Sequence, residues 1–207
     1  MIYFTSDTHY HHKNLIRGVS SWPDKSRCRD FDSIQDHDNF IVDSINSIVK
    51  ETDTIYHLGD WSFGGMENIE KFRYRINCLD VHIILGNHDQ HIEASPDNFI
   101  HIFSSISHYK EIKISGNRII LSHWPMKVWH KSHRGSWQLH GHCHNNLRPD
   151  EWWTKSKPQE RRKTMDIGMD TNNFKPWSFD ELEKIMSKLG KYPDGLDHHQ
   201  DLRSEED

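Results

Sequence analysis

Several things are scarce in this 207-residue chain. Only three cysteines occur, Cys28, Cys78 and Cys143, odd in number and far apart. They build no disulfide framework, and a reducing cytoplasmic setting is expected. No apolar run approaches the ~20 residues that a membrane helix needs. The opening MIYFTSDTH carries no basic region and no cleavage signal, so no secretion is expected. Hydrophobic residues are 34% of the chain, below the globular average but well above a disordered composition. A basic surplus is missing too. Lys and Arg number 26 against 31 Asp and Glu, a net charge of −5. Six acidic residues and Arg203 beyond position 193 account for all of it, so residues 1–193 sum to zero. A neutral body disfavours a dedicated binder of duplex nucleic acid.

Histidine is abundant, 18 of 207 and scattered rather than gathered in a tag. It is the commonest metal ligand and the side chain best suited to proton transfer near neutral pH.

The order of elements is readable. Strands are expected at 2–5, 54–58 and 81–85, the last continuously apolar as buried parallel strands are. Between them, 31–50 and 66–76 have helical spacing, with Asp32 as N-cap of the first. After residue 99 strands dominate: 100–103, 109–114, 118–121, 137–140 and 165–168, with Ser115-Gly116-Asn117 as a hairpin turn. Ser178 with Glu181 three residues on forms a capping box for a closing helix. The fold class expected is α/β, two packed mixed β-sheets flanked by helices, with the ligand site at strand C-termini. One domain spans 1–193, and 194–207 is an acidic, disordered tail.

Five clusters follow strands: Ser6-Asp7-Thr8-His9, Gly59-Asp60, Gly86-Asn87-His88-Asp89, Ser122-His123 and Gly141-His142-Cys143-His144. Singly, each reads as an ordinary turn. Together they set oxygen and nitrogen ligands at five successive strand tips. Such a donor set needs no thiolate and suits Mn, Fe, Zn or Ni ions.

In this ordered set (Asp-x-His, Gly-Asp, Gly-Asn-His-Asp, His, Gly-His-x-His) the chain resembles the calcineurin-like metallophosphoesterases. The likeness runs over about residues 1–180. SDTHYHHKNLI, LSHWP, RGSWQLHGHCH and MDIGMD…KPWSFDELEKI are similar to small bacterial and phage-encoded members. The resemblance implies two divalent ions, manganese favoured. One would be held by Asp7, His9, Asp60 and His144, the other by Asp60, Asn87, His123 and His142, with Asp60 bridging. A bridging hydroxide would attack phosphorus. His88 would protonate the leaving oxygen or neutralise charge on the phosphoryl group, and Asp89 would orient the His88 ring.

Other residues are candidates for substrate contact. His12 reaches substrate or is a loop histidine. The basic, aromatic segment 127–134 holds Lys131, His133 and Arg134, and either grips a phosphate and base or is a solvated loop. Trp22, Trp152 and Trp153 form a lid or simply pack, and His140 has no assigned role. No arginine follows Gly-Asp or Asn-His, where protein phosphatases carry them for a phosphate dianion. The expectation is therefore a cytoplasmic hydrolase of a small phosphodiester of nucleotide type. The alternatives are a phosphomonoesterase or pyrophosphohydrolase on the same site, or a non-catalytic His-rich metal-binding protein. Oligomeric state is left open.

Overall fold

Alternation along the first strands sets the layers. A computed structural model describes residues 1–146 and 162–190; Trp152, Trp153 and the acidic tail lie outside the described residues. Strands β1 (Ile2–Thr5), β2 (Thr54–His57), β3 (Asp80–Ile84) and β4 (Ser105–Ser107) pair in parallel, and β9 (Trp177–Ser178) runs antiparallel to β1. The spatial order is β4-β3-β2-β1-β9. A strand shows alternate side chains to opposite faces. Tyr3, Ile55, Val81 and Ile83 join one cluster with Ile41, Val42 and Ile45 of α1 (Ile34–Asn46) and Ile69 and Phe72 of α2 (Met66–Arg75). Phe4 and Ile84 turn the other way, against the second sheet.

That second sheet has the order β5-β6-β7-β8. Tyr109–Ile114 (β5) pairs antiparallel with Asn117–Ser122 (β6) across the expected turn, where Ser115 and Gly116 both take positive φ. Trp137–His140 (β7) and Thr164–Asp166 (β8) continue in parallel. Ile119, Leu121, Trp137 and Leu139 meet Phe4, Leu58 and Ile84 between the sheets. Phe179, Leu182 and Met186 of the closing helix (Phe179–Met186) pack into the same cluster, beneath the expected capping box. The architecture is thus the expected sandwich of two mixed sheets with flanking helices. Among the described residues no helix is long and apolar enough to cross a membrane.

Three local expectations are corrected. The N-cap of α1 is Ser33, not Asp32; its hydroxyl accepts the Asp36 amide. Residues 100–103 are not a strand. Pro96 opens a helical turn, and the Ile102 and Phe103 amides close back on the Phe99 carbonyl, so strand pairing starts only at Ser105. Strand β8 ends at Asp166 because the Gly168 amide leaves the ladder for the Asp166 carboxylate.

Candidate metal centre

Parallel strands deliver their C-termini to one edge. The loops after β1, β2, β3, β6 and β7 therefore converge, and main-chain bonds tie them together. The Asp7 amide donates to the Gly59 carbonyl (2.9 Å), and the Gly141 amide to the His123 carbonyl (3.0 Å). The approach at Gly141 is so close that a Cβ there would stand 1.9 Å from Ser6 Oγ. The expected ligand residues themselves carry the backbone strain. Asp7, His9, Asp60, His142 and His144 all have φ between 46° and 70°. L-residues pay roughly 1 kcal/mol or more for that region, so the surrounding bonds must impose it.

All seven expected metal ligands are brought together. His9 Nε2 lies 3.5 Å from Asp60 Oδ2, 3.9 Å from Asp7 Oδ1 and 3.1 Å from His144 Nε2. On the far side, His123 Nε2 lies 3.6 Å from the same Asp60 oxygen and 3.2 Å from Asn87 Oδ1, which is 3.0 Å from His142 Nδ1. One carboxylate oxygen thus faces both groups. Donors around an ion at ~2.1 Å stand about 3.0 to 3.4 Å apart. The two groups match that spacing within about half an ångström, so the residues fit divalent ions.

Their electrostatics fit as well. Burial keeps His9, His123 and His142 neutral by lowering their pKa, leaving ring lone pairs for an ion. Burial also pushes Asp7 up to about 7, against the pull of His144. His57, beneath the site, is a buried hydrogen-bonded residue as expected, with Nε2 2.9 Å from Thr8 Oγ1.

Sequence reasoning misses the support behind His144. Its Nδ1 meets Asp170 Oδ2 at 2.7 Å, and Arg29 grips Asp170 through Nε (3.0 Å) and Nη2 (2.8 Å). Burial alone would raise Asp170, but the Arg29 guanidinium and His144 hold it well below the usual carboxylate range. Arg29 also donates to the carbonyls of Asp7 (2.6 Å) and Thr8 (3.0 Å). It lies in a stretch that reads as polar loop, and only its place in the fold reveals it. Asp170 lies in the MDIGMD run, so a signal is there, without a role.

The role expected for Asp89 is corrected. Its carboxylate does not orient the His88 ring. It accepts the amides of Asp60 (2.8 Å), Gly86 (2.8 Å) and Trp61 (2.9 Å), clamping the β2 and β3 loops to each other. His88 gives its amide to Asp60 Oδ1 (2.9 Å), and its ring nitrogen stands within 4.8 Å of ligand atoms of His9 and Asp60. The ring borders a cleft of about 500 Å³ that Phe63, Gly64, Gly65, Gln90 and His91 also line. His12 is buried, stacked on Phe63 (centroids 4.1 Å), with Nδ1 3.3 Å from His9 Nδ1. Burial takes it down to about 4. Trp22 stands edge-on to His12 and is 40% exposed.

The basic segment has anchors of its own. Lys131 takes left-handed φ before the turn Ser132–Arg134, which includes His133. The neighbouring His130 bonds Glu111 on edge strand β5 (2.6 Å), and the Trp129 indole bonds the Ser136 carbonyl (3.1 Å). These anchors fasten the segment to the second sheet. Burial, with Asp166 and Asp7 nearby, pushes the thiol of Cys143, between His142 and His144, up to about 11.

The sequence profile of calcineurin-like phosphoesterases matches residues 1–196. The chain belongs to the calcineurin-like phosphoesterase family. Within that family it is similar to an uncharacterized protein of Methanocaldococcus jannaschii, 26% identical over 90% of this chain and 92% of the archaeal one. It is also similar to the Gene 66 protein of Mycobacterium phage L5, 27% identical over 70% of this chain and 78% of the phage protein. A solved structure of a protein of unknown function from Aquifex aeolicus has the same fold. Its TM-score is 0.61 at 22% identity, over 89% of this chain and 98% of that one. Membership and the ligand clusters make this phosphoesterase a metal-dependent hydrolase.

Proposed function

We propose that this phosphoesterase holds two divalent ions, manganese by preference, and hydrolyses small phosphodiesters such as nucleotide diesters. The observation carrying this reading is the Asp60 carboxylate, whose Oδ2 stands 3.5 Å from one ligand group and 3.6 Å from the other. When bound, such an ion pair stabilises charge on the phosphoryl oxygens and acidifies a water enough to attack phosphorus.

The chain's own residues supply the rest. Asp60 faces both groups, and the three amides on Asp89 hold its loop still. His144 presents Nε2 because Asp170 holds Nδ1. His88, which lines the cleft, gives a proton to the leaving oxygen.

The diester preference rests on charge. Among the described residues, no lysine or arginine lines the cleft beside His88, and Arg29 is spent on Asp170 and main-chain carbonyls. The buried His12 is neutral. A diester monoanion fits such a rim better than a monoester dianion, which wants a bidentate guanidinium. Rates on bis(p-nitrophenyl) phosphate and p-nitrophenyl phosphate, with added Mn²⁺ and again with chelator, test both parts. Chelator should abolish both rates, and the diester should be the faster. Undiminished turnover in chelator removes the metal reading, and a faster monoester removes the diester preference.

A further inference from the structure

A third group of metal-ligating side chains lies outside both sets just described. His140 closes β7 and Asp166 closes β8, and the two are direct register partners across that parallel pair. Cys143 follows in the next turn, which doubles back as its amide donates to the Gly141 carbonyl (2.9 Å). One ring nitrogen of His140, the Cys143 sulfur and one Asp166 oxygen all lie within 4.8 Å of one another.

Local bonds aim each donor. His140 Nδ1 is engaged by the Gly141 carbonyl (3.0 Å), which directs Nε2 away from the main chain. The Asp166 oxygens accept the amides of Gly168 (2.9 Å) and Asn145 (3.0 Å), fixing the carboxylate plane while each oxygen keeps a lone pair. His140 is 2% exposed, whereas Cys143 and Asp166 are half-buried, so the group opens to solvent on one side.

We infer that His140, Cys143 and Asp166 form a separate structural site for a thiophilic divalent ion, Zn²⁺ in preference to Mn²⁺. A sulfur, an imidazole nitrogen and a carboxylate oxygen, completed by water, make a tetrahedral set of the kind zinc takes. Thiolate is a poor partner for manganese. The ion fastens the ends of β7 and β8 to the turn from which His142 and His144 project, both in strained left-handed conformations. Zinc here is therefore a brace for the neighbouring ligand loop. Binding exchanges the thiol proton for a metal–sulfur bond, and the proton goes to solvent.

Cobalt titration of the chelator-treated full chain tests this, because cobalt–thiolate bonds absorb in the near ultraviolet and cobalt–nitrogen or –oxygen bonds do not. The two ligand sets of the proposed phosphoesterase site contain no sulfur. The other cysteines are buried, with Cys28 Sγ on the Asn14 carbonyl (3.4 Å) and Cys78 Sγ on the Asp53 carbonyl (3.0 Å). A third cobalt equivalent carrying the sulfur band, displaced by Zn²⁺ but not by Mn²⁺, is the expected result. In Cys143→Ser the band and that equivalent should vanish while the visible cobalt bands remain. In Asp166→Asn the affinity of the sulfur-bearing equivalent should fall at least tenfold. Saturation of the wild type without a sulfur band, or a band that survives Cys143→Ser, overturns the site. Two bound equivalents without a sulfur band would defeat this site alone. A single bound equivalent that carries the sulfur band would defeat the two-ion reading instead.

Discussion

His123 and Asn87 face each other acceptor to acceptor. His123 Nδ1 donates to the Leu58 carbonyl at 2.7 Å, so Nε2 bears a lone pair, and it points at Asn87 Oδ1 only 3.2 Å away. His142 Nδ1 approaches the same oxygen at 3.0 Å. Two acceptors at that distance repel unless a cation lies between them. The main-chain bond to Leu58 therefore sets the tautomer that an ion requires.

Asp60→Asn should keep the fold and disable both ion positions. The amide is nearly isosteric but loses the charge that faces His9 and His123 together. Calorimetric Mn²⁺ titration should show both ions weakened at least tenfold, with turnover lost. Two tightly bound ions and normal turnover would remove Asp60 from its bridging place.

Asp170→Asn tests support rather than ligation. The Arg29–Asp170–His144 relay fixes the ring whose Nε2 faces His9. Partners behind a ligating histidine typically matter ~10–100-fold in affinity or activity. The variant should lose about that much at limiting Mn²⁺ and recover much of it at saturating Mn²⁺. A loss that excess metal does not reverse would mean that the residue acts otherwise.

Much of this site is legible in the amino-acid sequence, because its residues are contiguous with strand ends. A Gly, Asp, Asn or His straight after an apolar run carries positional information, and all seven expected ligands stand at such places. What stays invisible in sequence is whatever acts across the fold. Arg29 reaches Asp170, 141 positions away. Asp89 looks like a partner for its neighbour His88, yet its carboxylate serves the amides of Asp60 and Trp61 from another loop. The false strand at 100–103 shows the same limit. Ile102 and Phe103 are buried through helical turns at Phe99 while Ile100 is exposed, and period alone cannot separate the two.

Ion-dependent stability should rise with pH. Burial lifts Asp7 to about 7, above the ordinary carboxylate value near 3.9. Between those values the metal-free native state holds a proton that the unfolded chain has released. Its stability therefore falls as pH rises through about 4 to 7. Ions need the ionised carboxylate, so the Tm gain from Mn²⁺ should grow across that window and level off above about 7. Equal gains at both ends would show that Asp7 gives up no proton on binding.

Gly141→Ala should be far more damaging than its one methyl suggests. The added Cβ would meet Ser6 Oγ at 1.9 Å and Asp7 Oδ2 at 2.6 Å. Either the β7 loop backs away, taking His142 and His144 with it, or Ser6 and Asp7 shift. We expect Tm to fall by several degrees and Mn²⁺ affinity by more than tenfold. Gly116→Ala is the control. That glycine has positive φ (83°), unlike Gly141, but a Cβ there meets nothing within 4 Å, so only stability should suffer, by about 1 kcal/mol.

His88→Ala separates proton transfer from ligation. Its ring stands beside His9 and Asp60 but also opens on the cleft lined by Phe63 and Gln90, so geometry alone permits either role. A ribose alkoxide leaves poorly, and a general acid is typically worth ~10²–10⁴-fold for such a group. Nitrophenolate needs little help. As a proton donor, His88 should be missed badly on a nucleotide diester and much less on a nitrophenyl diester, with Mn²⁺ content unchanged. Equal losses on both substrates would assign the ring to charge stabilisation on the phosphoryl oxygens. Loss of bound Mn²⁺ would instead make His88 a ligand, sharing with His9 the ion that Asp60 faces.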